Sequence, residues 1–128
     1  MNIEKFTINA RSRIAESQNL ANNLHNPEIT DFHLLYSILE SSDSVVKEIL
    51  LDVWIDLIIL KSRVKKELES LPKIEGHYDL RISYTLNDIL REAENISQKM
   101  KDEFITEEHL ILALLKFGSE KTKDIFSS

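Results

Sequence analysis

The sequence contains no cysteine, two glycines and two prolines in 128 residues. The first absence excludes disulfide frameworks, thiolate metal sites and cysteine nucleophiles. The scarcity of glycine and proline excludes a turn-rich β sandwich and leaves no glycine-rich phosphate loop. An excess of positive charge is also missing. Sixteen Lys+Arg against 22 Asp+Glu give a net charge of −6, which provides no basic face for a nucleic-acid backbone. Lys61, Arg63, Lys65 and Lys66 are interleaved with acids such as Glu67 and Glu69, the pattern of a solvated helix face. The longest apolar stretch, Ile49 to Leu60, is broken by Asp52 and Asp56 and is shorter than the roughly 20 residues a membrane span requires. The N-terminus, Met1 to Phe6, lacks a charged lead followed by an apolar block and a cleavage site. The expected compartment is the cytoplasm, with neither nucleic acid nor membrane as partner.

What is present is a balanced globular composition, 42% hydrophobic and 30% charged, and a duplication. Ile29-Thr30-Asp31-Phe32-His33-Leu34 lies over Ile105-Thr106-Glu107-Glu108-His109-Leu110 at an offset of 76 without a gap. The register also pairs Ile14 with Leu90, Glu16 with Glu92, Asn19 with Asn95, Leu24 with Met100 and Ile49 with Ile125. Repeat one runs from about 6 to 50 and repeat two from about 82 to 126, with a connecting helix and loop over about 51–81.

Each repeat reads as helices. Ala10, Ile14, Ser17, Ala21 and Leu24, and likewise Leu86, Leu90, Ala93, Ser97 and Met100, fall at steps of four and three. This is one stripe on a long amphipathic helix, with small residues at its middle where another helix can approach. Thr30 and Thr106 are N-caps followed at once by acids. Leu34, Leu35, Ile38 and Leu39 and their counterparts Leu110, Ile111, Leu114 and Leu115 form the face of a second helix. Gly118 closes that helix in repeat two, and a short third helix ends each repeat near Val45–Leu50 and Thr122–Phe126. The connecting helix, about Asp56 to Leu71, carries Ile59, Leu60, Val64, Leu68 and Leu71 and is stopped by Pro72. No β alternation persists. The prediction is an all-α single domain over 1–128, in which two helical repeats share one core around a pseudo-twofold axis.

Catalytic chemistry is not evident. His33 and His109 lie three residues after the capping threonines, but their i+4 positions hold Ser37 and Ala113 rather than a second ligand. They read as first-turn histidines bonded to nearby backbone. His25 and His77 fall in loops. Glu107-Glu108-His109 resembles part of a zinc-hydrolase string in the wrong order. Asp102, Glu103, Glu107 and Glu108 form a local acidic cluster, and Trp54 reads as a core residue between two acids. No catalytic residue, metal site or cofactor is expected.

Glu4-Lys5-Phe6-Thr7, Ile14 to Ala21 and Ile29 to Leu35 resemble the first repeat of Clp ATPase N-terminal domains. The bridge Leu71-Pro72-Lys73-Ile74-Glu75-Gly76 and the run Asp102 to Leu110 resemble the ClpB-type branch. The resemblance covers nearly the whole chain. It implies a non-catalytic domain that captures unfolded or aggregated polypeptide through a partly apolar groove and passes it to downstream ATPase modules. On matching positions the substrate contacts would be Thr7, Asp102 and Glu108, with Leu90 as a groove member. The alternative is docking of an adaptor or degron, as in ClpA- and ClpC-type unfoldases. The isolated domain is expected to be monomeric. Trp54 stands where the family usually has a small residue, often glycine, and Leu57 where it has proline, so Asp52 to Ile58 is expected to be more helical than in relatives. Glu92 is expected to make the groove less apolar.

Overall fold

Helices begin where the sequence supplies an oxygen to cap them. Thr7 Oγ1 accepts from Ala10 N (3.2 Å), Ser83 Oγ from Leu86 N (3.1 Å), and Asp56 Oδ1 from Ile58 N (3.0 Å) and Ile59 N (3.2 Å). The computed structural model describes residues 2–127. After a 3-10 turn at Ile3–Lys5 come α1 (Ile8–Asn23), β1 (Glu28–Ile29), α2 (Asp31–Glu40), α3 (Val45–Asp52) and α4 (Leu57–Glu69). They are followed by β2 (Arg81–Ile82), α5 (Tyr84–Lys99), α6 (Glu107–Phe117) and α7 (Glu120–Ser127). Among the described residues no helix is long and apolar enough to cross a membrane.

The offset of 76 lays α1 on α5, α2 on α6 and α3 on α7, with α4 unmatched. α1 packs on α2 and α5 on α6 within each half, and α6 also meets α1 and α2 across the seam. One continuous core results, with Leu34, Leu35, Ile38, Val64, Ile89, Leu110 and Leu114 fully enclosed. The small stripe residues Ala10, Ser17, Ala21, Ala93 and Ser97 are buried as the periodicity predicts. Met100, the last residue of the second stripe, is exposed, as are Ile59 of the connecting helix and Leu115 of the second-helix face.

Strand pairing, which the sequence pattern does not announce, fastens the halves together. β1 pairs in parallel with β2, Ile29 facing Ile82, and Phe6 makes a parallel bridge to Ile105. The offset maps Ile29 on Ile105 and Phe6 on Ile82, so the two clips exchange under the pseudo-twofold operation. Thr7 N donates to Ile105 O (2.9 Å), as its counterpart Ser83 N donates to Ile29 O (3.0 Å).

A second reciprocal pair involves the first residue of each second helix. Buried Asp31 accepts from Ser119 N (2.9 Å) and Thr122 Oγ1 (2.8 Å) at the start of α7 in the other half. Buried Glu107 accepts from Ser44 Oγ (2.8 Å), the cap of α3, and lies 3.4 Å from Arg13 Nε. Thus the acids that suit the helix dipole also tie each half to the other.

Three helices end in the same motif without glycine. His25, Trp54 and Lys101 have φ of 59°, 65° and 59°. In each case two N–H groups turn back on the last helical turn, for example Asn26 N to Ala21 O (3.0 Å), Ile55 N to Leu50 O (3.0 Å) and Asp102 N to Ser97 O (2.9 Å). The expectations for Trp54 are corrected here. It is 95% exposed rather than core, and the turn survives between α3 and α4 instead of becoming helix, because backbone bonds hold a bulky residue where glycine would be unstrained. Gly118 does cap α6, but at φ −61°. Its role is close approach: a Cβ here would collide with Leu114 O.

Candidate functional site

The site grows from the corner where α5 hands over to α6. Lys101, left-handed, throws Asp102 and Glu103 outward. The segment then straightens so that Ile105 pairs with Phe6 and Thr106 caps α6. His109 sits at the third position of α6 and reaches back. Its Nδ1 accepts from Thr106 N (2.8 Å), which places the proton on Nε2, and Nε2 donates to Asp102 Oδ2 (2.9 Å). This is a capping box with histidine in the place of the usual glutamate. His109 is buried, whereas the Asp102 side chain is 45% exposed.

Thr7, clipped to Ile105 by its main chain, closes one side. The result is a groove of ≈ 350 Å³ with a floor of Met100, Phe104 and Leu112 and a rim of Thr7, Asp102, Glu103 and Glu108. Three of the four sequence-proposed contacts, Thr7, Asp102 and Glu108, therefore meet around one concavity. Leu90 does not: it is 6% exposed and lines a separate cavity of ≈ 60 Å³ with Ile14, Ile29, Leu34, Ile82 and Leu86. Phe104 and Leu112 were not singled out by periodicity. The available signal for Leu112 was its place on α6 outside the Leu110, Ile111 and Leu114 face, an apolar residue on the solvent side.

The acidic cluster is smaller than it reads in sequence. Successive helical residues diverge by about 100°, so Glu107 turns inward while Glu108 stays outside. Burial pushes the Glu107 carboxyl above the usual range, against the opposing pull of Ser44 and Arg13. Glu92 also lies elsewhere. Lys116 Nζ donates to it (2.8 Å) between α5 and α6 and, with Asn95, holds it below the ordinary carboxylate range.

The first half builds the same corner with an amide. His33 Nδ1 accepts from Thr30 N (2.8 Å), and Nε2 donates to Asn26 Oδ1 (2.8 Å). Fully enclosed, His33 is pushed down to about 4 by burial, a shift only partly opposed by Asp31. It is a neutral structural histidine at ordinary pH. Among the described residues no group of three or more histidine or acidic side chains is placed to hold a metal ion.

Comparison with known proteins finds a family match. The model for the Clp repeat (R) N-terminal domain matches residues 5–128. The chain is 32% identical over 128 residues to the chaperone protein ClpB of Pseudomonas putida, covering 99% of this chain and 15% of that protein. The N-terminal domain of Hsp104 from Candida albicans superposes with a TM-score of 0.87 at 26% identity, over 96% of this chain and 80% of that one. A ClpV N-domain solved in complex with a VipB peptide has the same fold (TM-score 0.79, 20% identity, 98% of this chain and 79% of that one).

Proposed function

This chain belongs to the family of Clp repeat (R) N-terminal domains, and we propose that it is the non-catalytic substrate-recognition domain of a ClpB-type protein disaggregase. In this reading it offers exposed apolar segments of unfolded or aggregated polypeptide a shallow groove, then releases them to ATPase modules of the parent chain. The chain spans about 15% of the length of the curated ClpB relative it matches.

One observation carries the reading: Thr7, Asp102 and Glu108 converge on the rim of a groove whose floor is Met100, Phe104 and Leu112. An apolar floor rewards burial of a hydrophobic side chain at about 25 cal/mol per Å². A rim of hydroxyl and carboxylate oxygens accepts the N–H groups that an unfolded segment presents. Leu90 would join only through an opening of its own cavity. The ClpV N-domain complexed with a peptide lends support to peptide capture as a use of the fold. It equally supports the second reading, docking of an adaptor or degron.

The test is titration of ¹⁵N-labelled protein with a permanently unfolded model polypeptide. Shifts should concentrate at Met100, Asp102, Phe104, Glu108 and Leu112, and Leu112→Asp should weaken binding about tenfold, the loss of one buried aliphatic contact. Shifts confined to the opposite face, or capture of a folded partner with indifference to unfolded chain, would refute it.

A further inference from the structure

The corner after α5 has a twin after α1, and the twin is occupied. The connecting segment beyond α4 lies across it: Ile74 N donates to His25 O (2.8 Å), Asn26 Nδ2 to Pro72 O (2.9 Å) and Lys73 Nζ to Leu24 O (3.4 Å). Asn26 is 1% exposed beneath it. The offset of 76 turns Leu24, His25 and Asn26 into Met100, Lys101 and Asp102. There nothing of the described chain covers the corner, and Met100 is 56% exposed. His25 and Lys101 share the left-handed conformation at φ 59°, and the next N–H of each turns back to the helix alike, Asn26 N to Ala21 O and Asp102 N to Ser97 O, so the carbonyls of that peptide bond are presented alike. Each half thus has a seat for an extended segment, and the protein fills only the first with its own chain.

We propose that the open seat takes an extended polypeptide segment carrying a lysine or arginine next to an aliphatic residue, with the aliphatic residue seated as Ile74 is at the first seat and the cation turned toward Asp102. The inference rests on the groove reading above and names what that groove selects. The main-chain N–H of the aliphatic residue donates to Lys101 O, as Ile74 N does to His25 O. Its side chain meets the floor of Met100 and Leu112. The exchange of Asn26 for Asp102 sets the charge preference. Asn26 spends its oxygen on His33 and its N–H on the Pro72 carbonyl. Asp102 spends one oxygen on His109, and the other can only accept. A carbonyl placed as Pro72 O is placed would be repelled, so the main chain ahead of the cation turns away and the cationic side chain itself pairs with Asp102.

The probes are two capped peptides, acetyl-Ala-Ala-Lys-Ile-Ala-Ala-amide and the same peptide with glutamate for lysine, titrated by NMR alongside the unfolded polypeptide. The lysine peptide should shift Met100, Lys101, Asp102 and Leu112 and bind at least tenfold more tightly than its glutamate twin. Asp102→Asn should erase that preference. The variant should fold, since Asn26 already makes the equivalent bond to His33. Its amide-to-solvent exchange pattern is to be matched to the parent's first. Unfolded polypeptide shifting the groove with no lysine preference would overturn this inference and leave the function intact. Neither peptide nor polypeptide shifting the groove would overturn both. A preference that survives Asp102→Asn would also overturn it, because the charge selection would then lie elsewhere.

Discussion

In the first half of the molecule the corner behind the long helix is shut: Asn26 lies buried under Pro72 and holds the neutral ring of His33. In the second half the same backbone corner is open, and an exposed carboxylate, Asp102, holds His109. The halves agree in caps, left-handed residues, clips and crossing acids, all of which are main-chain features or contacts made by short side chains. They differ in the residues that meet solvent or the connecting segment. A duplicated fold therefore needs few exchanges to close the corner in one half and leave it open in the other, because the scaffold beneath both stays the same.

The crossing acids allow the strongest test of that division. Glu107 faces the charge of Arg13, whereas Asp31 faces only neutral donors. Glu107→Ala leaves a buried guanidinium without its buried partner, a change that costs about 3–5 kcal/mol. The lower end is expected, since Arg13 also lies 3.2 Å from Glu16 and from Asp43. Asp31→Ala leaves two neutral donors unmet, at about 1–3 kcal/mol. Urea unfolding should rank Glu107→Ala as the more damaging; the reverse order would mean that Ser119 and Thr122, not the ion pair, hold the seam.

His33 gives an effect of about 3 kcal/mol with a definite sign. His33 is depressed to about 4 from an ordinary 6.5, so between those values the unfolded chain binds the proton and the native one does not. Its contribution is complete above pH 6.5 and is lost as pH falls to 4, at about 1.4 kcal/mol per unit. Glu107, raised by burial, acts in the opposite sense near the acid end. The urea midpoint should fall from pH 6.5 to 4. Asn26→Asp, which gives the first half the second half's carboxylate, should flatten that slope by stabilising the charged ring. Equal slopes in the two proteins would show that His33 does not control it.

How far the sequence reveals this depends on the kind of signal. Periodic burial, threonine caps and the gapless repeat all leave marks on residue type, and the seven α-helices among the described residues follow from them. The helix stops at His25, Trp54 and Lys101 leave none: each needs a left-handed residue, and the chain supplies no glycine to announce it. Trp54 was misplaced for the same reason, since a tryptophan amid aliphatics reads as core until the turn is seen to expel it. The site was partly legible. Thr7, Asp102 and Glu108 came from resemblance, not spacing, because the groove assembles residues about 100 positions apart through the clip at Phe6 and Ile105. The division of Glu107 from Glu108 follows from helix phase, once the helix is known to start there.

The smallest effect is a cavity that one half fills and the other does not. Phe6, 1% exposed, plugs the space beside its clip, whereas its counterpart Ile82 is 45% exposed and leaves ≈ 60 Å³ open against Leu86 and Leu90. Ile82→Phe should swing an aromatic ring into that space and stabilise the fold by about 1 kcal/mol, the usual yield of cavity filling. A loss of similar size would mean that the exposed β2 cannot turn a ring inward, so that the equivalence stops at the backbone. The same variant bears on Leu90. If unfolded polypeptide binds the filled protein as well as the parent, Leu90 belongs to the core alone. If binding weakens while the shifts at Met100 and Asp102 persist, the cavity is a second pocket for substrate, and both halves contribute to capture.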